Sequence, residues 1–220
     1  MRSYSQYCSL AKALDVVGER WTLLIVRELL LRGPSRYTDI RAGLPGIATN
    51  LLADRLRQLE AAGIVRREEA PPPIATTLFG LTPRGEALQP ALDALMVWGL
   101  PFMADPVDGD EFRPHWLAGP AETLLSDSEP DGPPLRIEVH ASEEPAVIEA
   151  AGGSVSVSLG AAQDPDAVIA GEPQVVMGLL AGALTLEEAE ERGLKLDGRR
   201  SALARLCAPA WDAQGVPAGA

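Results

Sequence analysis

An α+β protein of two domains is what this sequence predicts: a helical domain closed by a two-stranded ribbon, then a sheet covered by helices. Three observations carry that reading. Apolar residues recur at helical spacing through most of residues 1–100, whereas the stretch after residue 134 alternates apolar and polar positions. Charge divides in the same way, with 12 Lys+Arg against 10 Asp+Glu in residues 1–100 and 7 against 21 in residues 101–220, within a formal net charge of -12. Halves of such unequal charge point to different partners. Between them, "PFMADPVDGDEFRP" (101–114) holds three prolines and can neither continue a helix nor pack a core. The predicted domains are therefore 1–104, an acidic linker at 105–114, a second domain at 115–208 and a flexible tail at 209–220.

The elements of the first domain follow in order. "SLAKALDVVG" and "RWTLLIVRELLLRG" are helices that each stop at glycine, and "PSRYTDIRAGL" is a third, short one. In "GIATNLLADRLRQLEAAGIVRR" (46–67), Leu52, Leu56 and Leu59 fall at i, i+4 and i+7 and mark a core face. Asn50, Ala53, Asp54 and Arg57 then point away from it, with Thr49 and Arg55 on the flanks. "GIVRREE" and "ATTLFGLT" bracket "APPPI" as a hairpin with a proline-stiffened tip. Thr82 followed by Pro83 is an N-cap with proline at the first helical position, opening one long helix over 83–99. Three helices, a helix exposing small polar side chains, a ribbon and a closing helix make a winged helix-turn-helix. Such a helix fits the major groove of DNA, where small polar residues at its N-terminus approach base edges. A helical bundle with an incidental hairpin is the competing reading of the same pattern. The net charge does not exclude DNA, because phosphate contacts depend on the local field.

In the second domain, "LRIEVHA" (135–141) is a strand, and "AVIEAAGGSVSVSLG" is two strands about a Gly152–Gly153 turn, with Val155, Val157 and Leu159 on one face. "DPDAVIAG" is a short strand and "EPQVVMGLLAGAL" an apolar helix. "TLEEAEERG" begins with a Thr185/Glu188 capping box and stops at Gly193, and "LKLDG" and "RRSALARLCAP" add a strand and a helix. "SDSEPDGPP" (126–134) is a loop. One sheet covered on one side is the expected layer.

Several function classes lack their signatures. There is no Gly-rich dinucleotide or phosphate loop, no metal-ligand spacing and no Ser/His/Asp constellation, so no enzyme, cofactor or metal is expected. His115 and His140 read as structural or solvated. Nothing resembles a secretory signal, no apolar run is long enough to span a bilayer, and only Cys8 and Cys207 are present, which fits a reducing cytoplasm.

Over roughly residues 7–99 the sequence resembles the HxlR-type winged-helix transcriptional regulators, relatives of the MarR type. "CSLAKALDVVGERWTLLIVREL", "SRYTDI" and "LTPRGEALQPALDALMVWG" carry the resemblance. It implies a homodimer that sets two recognition helices in successive major grooves of a double-stranded DNA operator; a repressor is the expectation, with an activator left open, and 17 arginines against 2 lysines point to a bacterial source. On this alignment Thr49 and Asn50 lie at the recognition-helix N-terminus, and Arg36, Arg55 and Arg57 are candidate phosphate or base contacts. Tyr4, Tyr7 and the 83–99 helix would build the dimer. The wing tip lacks a basic residue, and Asp54 would repel phosphate unless Arg57 or Arg55 pairs with it. Some relatives use a thiol at the position of Cys8 to sense oxidants or electrophiles; the other reading of Cys8 is a small packed residue.

Over roughly 113–208, and most closely over 164–206, the order "DPDAVIAGEPQ … LLAGALTLEEAEERG … LKLDGRRSAL" resembles the sterol-carrier-protein-like fold, whose helices and sheet enclose an apolar tunnel. That resemblance implies a hydrophobic small-molecule effector. Its candidate lining is Trp116, Leu117, Leu124, Leu125, Val176, Met177, Leu180 and Leu184, set against the alternative that these residues only fill a core. The competing function is a carrier of lipid or another hydrophobic ligand whose winged helix only dimerises or binds protein.

Overall fold

The computed structural model describes residues 3–70, 76–103 and 109–208, and they form two compact units that divide between Leu92 and Asp93. Most of the expected wing tip (71–75), part of the linker (104–108) and the tail from 209 lie outside the described residues.

The first unit runs α1 (Ser9–Val17), α2 (Thr22–Arg32), β1 (Ser35–Arg36), α3 (Tyr37–Ala42), α4 (Thr49–Ala61), β2 (Val65–Glu69), β3 (Thr77–Leu81) and α5 (Pro83–Glu86), and α6 (Gln89–Gly99) begins within it. Its core is where the helical spacing puts it. Leu52, Leu56 and Leu59 of α4 are almost fully buried with Ile25, Val26 and Leu29 of α2, Ile40 of α3, and Phe79 and Leu81 of β3. The ribbon is an antiparallel β2–β3 pair in the register Val65↔Leu81 to Glu69↔Thr77. A third strand joins it: β1 pairs with β3 through Ser35↔Phe79 and Arg36↔Leu78, so the sheet order is β1–β3–β2.

The closing segment is two helices rather than the single one expected over 83–99. Thr82 caps α5, its Oγ1 accepting from Gly85 N at 3.2 Å. The chain then tightens, with Leu88 N bonding Gly85 O, before α6 restarts at Gln89. Pro90 supplies the reason: it has no N–H to offer the Glu86 carbonyl, and its ring disfavours a continuing helix across that turn. In the first turn of a new helix it is tolerated.

The second unit takes in the rest of α6, two 3₁₀ turns (Leu100–Met103 and Pro114–Leu117), α7 (Ala118–Leu124), β4 (Ser126–Asp127), β5 (Leu135–His140), β6 (Ala146–Ala151), β7 (Ser154–Leu159), β8 (Ala167–Ala170), α8 (Pro173–Leu180), α9 (Leu186–Glu191), β9 (Lys195–Gly198), α10 (Arg200–Arg205) and β10 (Leu206–Cys207). Five strands make a mixed sheet in the order β7–β6–β5–β8–β9, with β5 and β8 parallel and the other neighbours antiparallel. Register puts Val157, Ile148, Ile137 and Ala167 side by side on one face, and the neighbouring rows there are apolar too. Side chains from α7, α8, α9 and α10 complete the core on that face.

The opposite face carries ion pairs such as Arg136–Glu149 (2.8 Å) and the His140–Glu138 contact (2.6 Å). Glu138 also accepts from Ala162 N at 2.6 Å and so ties down the connection from β7 to β8. The Thr185/Glu188 capping box forms as expected, and Gly193, at φ +96, makes the left-handed turn that follows α9. A short antiparallel ribbon departs from expectation: β4 lies in the segment expected to be a loop, and its partner β10 takes the end of "RRSALARLCAP", where the expected last helix stops at Arg205.

Candidate nucleic-acid interface

Local sequence explains why α4 is both anchored and presented. Its leucine row is buried against the core, which turns Asn50, Asp54 and Arg57 to solvent, with Ala53 half-buried beside them. The N-cap is Ala48, whose side chain offers no acceptor. Asn50 Oδ1 accepts from Leu51 N at 3.0 Å, while Thr49 and Asn50 stay exposed at the helix start. Tyr37, at the start of α3, donates from its hydroxyl to the Thr49 carbonyl at 2.6 Å. This bond sets the β1–α3 corner next to the first turn of α4, and exposed Arg36 immediately precedes Tyr37. Arg36 is thereby set near Thr49 and Asn50, and Arg57 stands two turns further along the exposed face of α4.

Arg55 is held differently. Its side chain is only 15% exposed, Nη2 lies 2.9 Å from Glu19 Oε2, and Nη1 donates to Gln58 Oε1 at 2.6 Å. It braces α4 against the corner between α1 and α2. Arg57 pairs with Asp54, one of the two partners named for that aspartate by the sequence. Two further exposed cations lie on β2: Arg66, paired with Glu68, and Arg67, whose guanidinium sits 5.3 Å from the Phe79 ring centre. Sequence reasoning left them out of the site, although "VRREE" gave the signal, because it looked for charge at the wing tip rather than along the strand.

The turn between α3 and α4 is pinned from below by Glu28, whose side chain is completely buried and pairs with Arg27 (2.8 Å) and Arg32 (3.4 Å). Its carboxylate fills the space a side chain at Gly43 would need.

Cys8 is exposed at the N-cap of α1, so on this chain it is not a packed residue. The amide groups of Ala11 and Leu10 hold its thiol below the ordinary cysteine pKa. The segment before it is tied to α1 through Asp15, which accepts from Ser3 Oγ and from Tyr4 N, both at 2.8 Å. Tyr4 and Tyr7 remain exposed.

Of the eight residues named as a ligand lining, Leu117, Leu125, Val176, Met177 and Leu180 are buried in the core of the second unit, and Leu184 packs against it. Trp116 and Leu124 are half-buried, and Trp116 meets Phe112 edge to face, 6.5 Å between ring centres. His115 is buried. Among the described residues, no helix is long and apolar enough to cross a membrane.

Comparison with known proteins bears on the first unit most directly. A model of the HxlR-like helix-turn-helix family matches residues 16–106. The HTH-type transcriptional regulator YvaP of Bacillus subtilis is 38% identical over 87 residues, 40% of this chain and 80% of that one. YodB, an HTH-type transcriptional regulator of the same organism, is 35% identical over 86 residues, 39% of this chain and 76% of its own length. The solved reduced form of YodB is 33% identical and covers 47% of this chain and 100% of its own, with a TM-score of 0.39. An HTH-type transcriptional regulator of Mycobacterium tuberculosis is 33% identical over 136 residues, 62% of this chain and 70% of that one, a stretch longer than the whole first unit. With the helix order and the exposed face of α4, a relative of 38% identity covered over 80% of its length makes this chain a member of the HxlR-like helix-turn-helix family of transcriptional regulators.

Proposed function

We propose that this chain is a homodimeric repressor acting in the cytoplasm, which reads a double-stranded operator with α4 and answers to a hydrophobic small molecule taken up by its second unit. The observation that carries the DNA reading is the division of α4 into a buried leucine row and an exposed face of small polar and charged residues. Thr49 and Asn50 approach base edges from the helix start. The Thr49 and Asn50 amides, with no capping side chain from Ala48, add a positive end that suits phosphate. Arg36 and Arg57 supply phosphate contacts that fix register, and Arg55 acts through its brace.

Dimerisation has its own support. Tyr7, Leu10 and Leu14 on and before α1 are exposed, and so are Leu95, Trp98 and Phe102 on and after α6, which has no buried residue. Large apolar side chains left bare in this way favour a second copy as the occupant.

The second unit is proposed as a sterol-carrier-like binding fold, since most apolar side chains of its sheet lie on the face its helices cover. Burying an apolar effector there yields ~25 cal/mol per Å². To switch the operator-bound population, the effector must prefer one dimer geometry over the other by several kcal/mol. Cys8, exposed and with its thiolate favoured, is the proposed point of attack for oxidants or electrophiles.

Fluorescence anisotropy of the full chain against its own upstream DNA, across a salt series, tests the reading. Saturable binding that prefers the upstream sequence and weakens steeply with salt supports it. Arg36→Ala and Arg57→Ala should each weaken binding about tenfold and leave the melting temperature unchanged. Native mass spectrometry of the same sample checks for a co-purified hydrophobic molecule; such a ligand without any DNA binding would favour the carrier.

A further inference from the structure

Every arginine of α4 already holds a carboxylate. Arg55 is bound to Glu19 on the corner before α2, and Arg57 to Asp54 one turn earlier on the same helix. Arg66 on β2 repeats the pattern with Glu68 at 3.2 Å. Within Thr49–Ala61 two arginines meet two acidic residues, so the helix proposed to meet the polyanion has no net charge. Fold stability does not explain the Asp54–Arg57 pair. Its side chains are 52% and 74% exposed, and pairs so open to water contribute little.

We propose that Asp54 is a specificity-determining residue: its carboxylate competes with DNA phosphate for Arg57. A loose encounter with any duplex then has to displace a carboxylate that is already bonded, or bring phosphate up beside it. A duplex that also satisfies Thr49 and Asn50 through its base edges gains enough to do so. Non-specific binding, which rests almost wholly on phosphate contacts, is suppressed more than specific binding. The acidic residue on the exposed face, which reads as a defect in a DNA-binding helix, becomes a device for discrimination. The inference rests on the DNA-binding reading above.

The test uses the full chain and a fluorescein-labelled random-sequence duplex of about 30 base pairs in a salt series. Asp54→Asn should bind it about threefold or more tightly at low salt, and log K should fall more steeply with log salt, by up to about 0.9 if one further phosphate is neutralised. In an Arg57→Gln background the gain from Asp54→Asn should shrink, because the released cation is no longer there. Melting temperatures equal to wild type establish that the Asp54→Asn and Arg57→Gln variants are folded. Wild-type binding with unchanged or weaker binding by Asp54→Asn overturns the inference alone. So does an Asp54→Asn gain of equal size with and without Arg57, which would reflect only one negative charge fewer. No binding by wild type or variants at the lowest salt overturns the DNA reading, and the inference with it.

Discussion

Two aspartate–arginine pairs, one in each unit, put the same chemistry in opposite settings. Asp127 of β4 and Arg205 at the end of α10 are 78 residues apart, and both are buried. Arg205 binds both carboxylate oxygens, Nε to Oδ1 at 2.6 Å and Nη2 to Oδ2 at 2.8 Å, and donates further to the carbonyls of Pro133 and Glu129. Asp127 also accepts from Glu129 N at 3.0 Å. Asp54 and Arg57 are neighbours on one helix, share one hydrogen bond and stand in solvent. The difference teaches that the pair as such decides nothing. Burial and the number of bonds determine whether it closes a chain segment or stays open to exchange with a competing anion.

That contrast breaks if the two pairs respond alike to truncation. Arg205→Ala leaves the Asp127 carboxylate buried without its guanidinium, and should lower the melting midpoint of the second unit by about 10 °C in calorimetry. The acid limb checks the same pair. The hydrogen bonds from Arg205, more than any other cause, hold the Asp127 carboxyl at about 2, below its ordinary 3.8. A depressed carboxyl stabilises the fold fully above its ordinary value and loses that contribution as pH falls through 3.8 toward about 2. Wild-type midpoints should therefore drop in that window, and the drop should be shallower in Arg205→Ala.

Glu28 is the intermediate case: a fully buried carboxylate whose partners, Arg27 and Arg32, are 28% and 31% exposed. An added Cβ at Gly43 would come 1.8 Å from its Oε2. Gly43→Ala should destabilise the first unit by about 1–3 kcal/mol in urea unfolding, since a packed carboxylate must give way. Because the displaced turn leads into α4, DNA affinity should fall with it. A variant as stable as wild type would mean that Glu28 moves freely, and that burial alone does not make a pair structural.

What the sequence made legible was what lies close along the chain. The leucine row of α4, the Thr82 and Thr185 caps and the alternation in β5 are each decided within one or two turns, and all are present. What it hid depends on distant partners. The two-residue strands β1, β4 and β10 have no period to detect and exist only through strands far along the chain. The break before α6 was local and was missed because helical spacing continues across it, while Pro90 acts through the carbonyl four residues earlier. In the candidate site, the exposure of Thr49, Asn50, Arg36 and Arg57 was legible from pattern and resemblance. The fate of Arg55 was not, since its partner Glu19 lies 36 residues away.

The smallest expected effect is the most discriminating. A double-mutant cycle of Asp54→Ala and Arg57→Ala in urea unfolding should give a coupling energy of at most about 0.5 kcal/mol, because both side chains are hydrated before and after the pair breaks. Water replaces each partner at nearly equal free energy, and holding two exposed side chains in one geometry offsets what attraction remains. A phosphate is a better replacement than water, so the same pair can be almost silent in folding and still shift DNA binding severalfold. A coupling of about 1.5 kcal/mol or more would instead place Asp54–Arg57 with Asp127–Arg205 as a holding pair. The exposed acid on α4 would then belong to the helix rather than to its choice of DNA.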